Sequence, residues 1–398
     1  MKRVAPIKLL KKTVPFALVA LLASCSEKAH NAVYAHEQCH RLVLKDNDTG
    51  LSVLGAEDMA KLPGGDLLVT AYDRRSTAQH GVPPEGGVYI VPATQLDQRE
   101  IKVSSIFDTM PGGLRPHGVD TYIHKDGTTH AAFVNRSYTF QNHDVISTPT
   151  IVRFAMANGL VSKPEILEGE RYCRANDIVL SIGQKPTVDQ EERVYGNINQ
   201  TPINPQNNKN LNTVGHVTLD RAQCHGLSAL LENVRGEKKG AFELLPPSSV
   251  GPFIERERTL AFPNGIGIQF KDRPLSDNNF LVVAETRANQ LRYFPKTDRR
   301  DVVKLDGSPD NLNVGKPGII QVAVHPSLIK LALYRYGWTS YAPSRIQKVT
   351  GTQVLTLFDD PSGRTYSAAS IAVQTAGKLV LGSVGDEGLL VCNGRPTS

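Results

Sequence analysis

Helical periodicity is almost absent from this chain of 398 residues. It is built instead from short apolar runs, at 66–72, 87–91, 130–135, 150–156, 215–219, 280–285, 290–294, 318–324, 353–358, 378–384 and 388–392, separated by Gly, Pro, Asn and Asp. Runs of about five to seven residues between turn formers read as strands, not as buried helices. The stretch with helical spacing is 224–234, where Leu227, Leu230 and Leu231 align. Within 280–294 an apolar strand, a short turn and a second strand carrying Arg292, Tyr293 and Phe294 form one unit, which 378–392 repeats loosely. The unit returns irregularly, roughly every 50–70 residues, which implies about six copies. The expectation is an all-β, six-bladed β-propeller over 32–398, its ring closed by N- and C-terminal strands. An irregular sandwich or two smaller β-domains are the alternatives. The polar stretch 201–212 and the charged stretch 235–240 make 200–259 read as a long insertion within one blade.

The start of the chain stands outside that pattern. Lys2, Arg3, Lys8, Lys11 and Lys12 precede an apolar stretch from Val14 to Leu22, and Leu22-Ala23-Ser24-Cys25 follows. This order reads as a lipoprotein signal peptide over 1–24, lipidation of Cys25 and a tether over 25–31. An ordinary signal peptide with an incidental cysteine is the alternative. The apolar stretch is too short to span a bilayer as a permanent helix. The expected location is the cell envelope, lipid-anchored to a membrane facing the periplasm (the outer membrane favoured by Ser26) or extracellular. Removing the five basic residues of the signal leaves 40 basic against 39 acidic residues, a formal charge of +1 instead of +6. No nucleic-acid partner follows from so even a balance. Cys39, Cys173, Cys224 and Cys392 remain, with three possible pairings in an oxidising compartment. A propeller that pairs its two ends would bring Cys39 and Cys392 together, while Cys173 and Cys224 could pair or stay as thiols.

Five short stretches supply oxygen ligands one or two at a time: Glu57-Asp58, Pro116-His117-Gly118-Val119, Asn176-Asp177, Asn264-Gly265 and Asp310-Asn311. Acids and amides delivered from distant strand ends suit a hard cation at the hub of a toroidal β-fold. Taken singly, each Asn or Asp is more simply a turn residue or an Asx cap. No Gly-x-Ser-x-Gly elbow, Gly-x-Gly-x-x-Gly loop or Walker motif occurs. His124 and His130 flank Lys125-Asp126-Gly127, which reads as a hairpin turn and not as a zinc site.

Several pieces, in order along the chain, resemble the paraoxonase/arylesterase family, six-bladed propellers with two calcium ions that hydrolyse lactones and aryl esters. They are Gly55-Ala-Glu-Asp-Met-Ala-Lys-Leu-Pro63, Arg115-Pro-His-Gly-Val119, Phe133-Val-Asn135, Asn176-Asp-Ile-Val179, Pro263-Asn-Gly-Ile266, Pro309-Asp-Asn311, Val324-His-Pro326 and the Cys39 and Cys392 ends. With the N-terminal signal the chain reads as a bacterial lipoprotein member of that family, and the resemblance implies a catalytic Ca2+ on Glu57, Asn176, Asn264, Asp310 and Asn311. A structural Ca2+ would take Asp58, Asp177 and the carbonyl of Val119. Two ions side by side make sense of the neighbouring pairs, because adjacent residues on a strand point to opposite sides.

The resemblance also makes His117 the candidate general base and puts His325 near the site. One departure matters: the family's second histidine, just after Val-Asn, is Arg136 here, and a guanidinium cannot accept a proton. Arg136 is then a candidate for holding an anionic substrate group or a developing oxyanion. A further family histidine corresponds to Gln200. The expected function is calcium-dependent hydrolysis of a small-molecule lactone or aryl ester. A gluconolactonase-like sugar-lactone hydrolase and a non-catalytic calcium-stabilised binding propeller are the alternatives. The oligomeric state has no signal in the sequence.

Overall fold

A computed structural model describes residues 30–76, 84–141, 144–169, 172, 175–182, 213–219, 240–245, 254–273, 279–297 and 300–394. These form the six blades of a β-propeller. Blade 1 holds Ala56–Lys61, Leu67–Ala71 and Gly87–Val91, and blade 2 holds Pro116–Ile123, Thr129–Asn135 and Thr150–Ala157 with two short outer strands. Blade 3 holds Ala175–Ile182, Thr213–Leu219, Gly240–Leu245 and Ile254–Leu260. Blade 4 holds Pro263–Ile268, Leu281–Glu285, Gln290–Thr297 and Arg300–Lys304. Blade 5 holds Ser308–Val314, Ile319–His325, Ser344–Thr350 and Gln353–Asp360. Blade 6 holds Ala369–Thr375, Lys378–Ser383 and Leu389–Cys392, continued by Cys39–Asp46 and then Glu100–Val103. The first strand of each blade contacts the first strand of the next, and that of the sixth contacts that of the first. These six inner strands therefore surround one axis.

Why the strands read as unbroken apolar runs is visible in the packing. A blade is covered on both faces, so alternate residues of one strand enter different inter-blade cores. In blade 4, Leu281 and Val283 pack towards blade 3, while Val282 and Ala284 pack towards blade 5. Val179 and its neighbours Ile178 and Leu180 divide in the same way between the blade 3–4 and blade 2–3 cores. Cys39 lies opposite Cys392 in antiparallel register, and a disulfide joins them across a separation of 353 residues. By loop-closure entropy such a bridge contributes about 6 kcal/mol.

Two expectations are corrected. Residues 213–219, 240–245 and 254–260, inside the stretch expected to be an insertion, are three of the four strands of blade 3. The polar sequence Ile254-Glu-Arg-Glu-Arg-Thr-Leu260 hides the last of them, because an outermost strand has one free edge and tolerates charge. A helix, Leu328–Arg335, follows the second strand of blade 5, capped by Ser327 Oγ accepting from the Lys330 amide at 3.3 Å. Its eight residues are too few for a periodic signal. The expected signal over 1–24, Cys25 and the expected tether as far as residue 29, the helical spacing at 224–234, Gln200, Cys173 and Cys224 lie outside the described residues. Among the described residues no helix is long and apolar enough to cross a membrane.

Candidate metal centre on the propeller axis

Every inner strand slips register against its second strand once. The slips fall between Ala56 and Asp58, Pro116 and Val119, Ala175 and Ile178, Pro263 and Ile266, Pro309 and Leu312, and Ala369 and Ile371. Such bulges free a residue from the pleat and re-aim its side chain. The residues inside them are Glu57, His117, Gly118, Asn176, Asp177, Asn264, Gly265, Asp310, Asn311 and Ser370. Asp58 and Val119 stand at the edges of two slips. The sequence motifs are thus one structural feature repeated around the axis. Ser370, the contribution of blade 6, is missed by sequence reasoning; its only mark is the small-residue run Ala368-Ala369-Ser370 ahead of an apolar strand.

Carbonyls freed by the slips accept from hydroxyls of adjacent blades. Thr70 Oγ1 donates to the His117 carbonyl at 2.5 Å, Thr218 Oγ1 to that of Asn264 at 2.6 Å, and Ser370 Oγ to that of Glu57 at 2.7 Å. At two of the slips the blades approach so closely that no side chain fits on the residue between them. A Cβ on Gly118 would lie 2.3 Å from Asp177 Oδ1, and one on Gly265 would lie 2.7 Å from the Asp310 carbonyl oxygen.

Glu57 is wholly buried, with Arg74 Nη1 at 3.0 Å from Oε1 and His117 Nδ1 at 2.7 Å from Oε2. Neither contact has the alignment of a hydrogen bond, so both carboxylate oxygens lack a donor. Burial pushes the Glu57 carboxyl up, but Arg74, then His117 and Arg136, outweigh it and hold the pKa at about 2. For His117, burial first and Arg74 second lower the imidazole to about 3, against the opposing pull of Glu57. At neutral pH the pair is a carboxylate beside a neutral imidazole. Asn311 Nδ2 donates to the Glu57 carbonyl at 3.1 Å, and Asn264 Nδ2 donates to Asp310 Oδ1. The other amide atoms, Asn311 Oδ1 and Asn264 Oδ1, are buried without a donor, as is Asn176 Oδ1. Asp310 Oδ2 meets His325 Nε2 at 2.7 Å.

Asp58 and Asp177 have other company. Asp58 accepts from the amides of Met59 (2.8 Å) and Val119 (2.7 Å), and Asp177 from those of Ile178 (2.7 Å) and Ile266 (2.9 Å). Val119 therefore meets Asp58 through its N–H. Burial, followed by repulsion from Asp177 and Glu57, pushes the Asp58 carboxyl well above the carboxylate range. Burial pushes Asp177 the same way against its two amide bonds, with Asp120 and Glu57 adding repulsion. Two interacting buried carboxylates with no cationic side chain need a proton or a bound cation.

Among the described residues no group of three or more His, Cys, Asp or Glu is arranged to hold a metal ion. The donor set here is of another kind, amide oxygens mixed with single carboxylates. Orphaned acceptor oxygens and unpaired carboxylates suit a hard, oxygen-seeking cation. The residues present fit such an ion.

No protein-family model matches the chain. Serum paraoxonase/lactonase 3 of Oryctolagus cuniculus is 23% identical over 345 residues, covering 83% of this chain and 83% of that protein. Serum paraoxonase/arylesterase 2 of Homo sapiens is 23% identical over 346 residues, again covering 83% of each. This chain is similar to serum paraoxonases over most of its length. Solved structures that align with it include a protein of unknown function from Dyadobacter fermentans, with TM-score 0.45 and 9% identity over 89% of this chain and 98% of that one. An alpha-L-arabinanase of Penicillium chrysogenum aligns with TM-score 0.43 and 13% identity, covering 92% and 96%.

Proposed function

We propose that this propeller is a calcium-dependent hydrolase of lactones or aryl esters that binds two calcium ions. One observation carries the reading: Glu57 Oε1 and Oε2, Asn176 Oδ1, Asn264 Oδ1 and Asn311 Oδ1 are buried acceptors without donors, contributed by the inner strands of four blades. Glu57, Asn176, Asn264, Asp310 and Asn311 would hold the first ion, and Asp58, Asp177 and the Val119 carbonyl the second. When bound, the first ion supplies Lewis acidity that polarises a substrate carbonyl. The similarity to the two paraoxonases supports the same chemistry.

The rest of the work falls to the chain's own groups. Because His117 Nδ1 is turned to Glu57, Nε2 is left to take a proton from attacking water. The imidazolium so formed stands beside an ionised carboxylate, which offsets the burial of its charge. Arg136 holds no proton-accepting position, so acceptance rests on His117. His325 orients Asp310 through its 2.7 Å contact. Lipidation of Cys25 would tether the enzyme to a membrane of the cell envelope.

The test is hydrolysis of phenyl acetate, an aliphatic lactone and a sugar lactone by the mature chain in calcium and in excess EDTA. Turnover that EDTA abolishes and calcium restores supports the reading. Full turnover after EDTA dialysis refutes it. No turnover of any substrate, with calcium still raising the melting temperature, would favour a binding propeller.

A further inference from the structure

The end of the axis that carries the register slips is also where second strands end, because first and second strands of a blade are antiparallel. Three segments leave there. Tyr72 and Arg74 follow Leu67–Ala71, Arg136 and Tyr138 follow Thr129–Asn135, and the helix ending at Arg335 follows Ile319–His325. Arg74, only 7% exposed, reaches Glu57 with one nitrogen and lies over the Tyr72 ring at 5.2 Å. Arg136 is close enough to act on Glu57, His117 and Tyr138. Arg335, in the last turn of that helix, is solvent-exposed and acts electrostatically on Arg74 and Arg136.

Three guanidinium groups at one mouth repel each other, and Glu57 and Asp310 act on Arg74 as counter-charges. The Nε atoms of Arg74 and Arg136 are buried with no acceptor. Buried donors on charged groups cost stability unless a ligand meets them. The guanidinium fork matches a planar or tetrahedral oxyanion bidentately.

We propose that Arg74, Arg136 and Arg335 form an anion subsite at the mouth of the axis, so that the ester or lactone turned over here carries a carboxylate or phosphate group. This rests on the hydrolase reading above for its substrate, but the subsite itself is testable by binding. The flanking Tyr72 and Tyr138 add ring surface and hydroxyls beside the anion. A neutral ester would leave the same donors unmet, and the cost would appear as selectivity.

The experiment compares kcat/KM for 4-acetoxybenzoate and phenyl acetate, a pair differing in one carboxylate, and measures benzoate binding by calorimetry in calcium. The expected preference for the anionic ester is about 10- to 100-fold. It should fall about tenfold in Arg136→Gln and in Arg335→Gln, with Arg136→Lys intermediate. Benzoate affinity should fall in parallel. Arg335→Gln alters an exposed position and keeps the test independent of folding at the buried sites. Turnover of phenyl acetate with no anionic preference and no benzoate binding overturns the subsite and leaves the hydrolase reading standing. Benzoate binding that needs both arginines, without turnover of either ester or of the two lactones, supports the subsite and overturns the hydrolase reading. Binding that vanishes on calcium removal but ignores both arginine substitutions puts the carboxylate on the metal and overturns the subsite.

Discussion

Glu57 and Asp58 are neighbours on one strand, both buried, yet their surroundings are opposite in charge. Arg74, His117 and Arg136 surround Glu57 and hold it ionised with a pKa of about 2. Asp58 faces another carboxylate, Asp177, and is pushed well above its ordinary range by burial and repulsion. Alternation along a strand separates two chemistries by a single residue. On this account the Glu57 side keeps its charge unaided and is built for reaction, whereas the Asp58 side needs a cation or a proton and is built for cohesion.

Substitutions on the Glu57 side should sharpen that contrast most. His117→Gln should lower kcat by about 10²- to 10⁴-fold while calcium binding and melting temperature stay near wild type, as steady-state kinetics and thermal melts would check. An equal loss in His325→Gln with His117→Gln fully active would reverse the assignment. On the other side, calcium at about a thousandfold over its Kd should contribute about 4 kcal/mol, read as a higher melting temperature than in EDTA. Asp58→Asn should lose most of this gain and yet melt no lower than wild type in EDTA, because it removes a buried repulsion. Gly118→Ala forces a Cβ against Asp177 and should cost about 1–3 kcal/mol in calorimetric stability.

The smallest expected effect is in pH dependence. Asp58 and Asp177 have raised folded pKa values, so their contribution is present below the unfolded value of 3.8 and is lost as pH rises through the folded values. Glu57 and His117, depressed from 4.5 to about 2 and from 6.5 to about 3, act oppositely: their contributions are lost as pH falls below 4.5 and 6.5. Calcium-free Asp58→Asn should therefore lose less melting temperature than calcium-free wild type as pH rises above 3.8, as thermal melts across a pH series would check.

Much of this was open to reading in the sequence where burial on both faces writes the strand plainly, as at Gly87–Val91 or Leu281–Glu285. The candidate oxygen ligands were legible because turn-type residues beside apolar runs are out of place unless something uses them. What stayed hidden depends on three dimensions. Arg74 and Arg335 are 261 positions apart and act on each other because the segments after the second strands of blades 1 and 5 leave at the same end. Ser370 is a small residue among small residues, and the strands of blade 3 are masked by polar composition.

The most direct measurement is calcium stoichiometry by calorimetric titration of calcium-stripped wild type, Glu57→Gln and Asp58→Asn. The account predicts two ions for wild type and one for each variant. One ion in wild type, or loss of both ions from a variant that stays folded, would contradict two chemically separate sites on one strand.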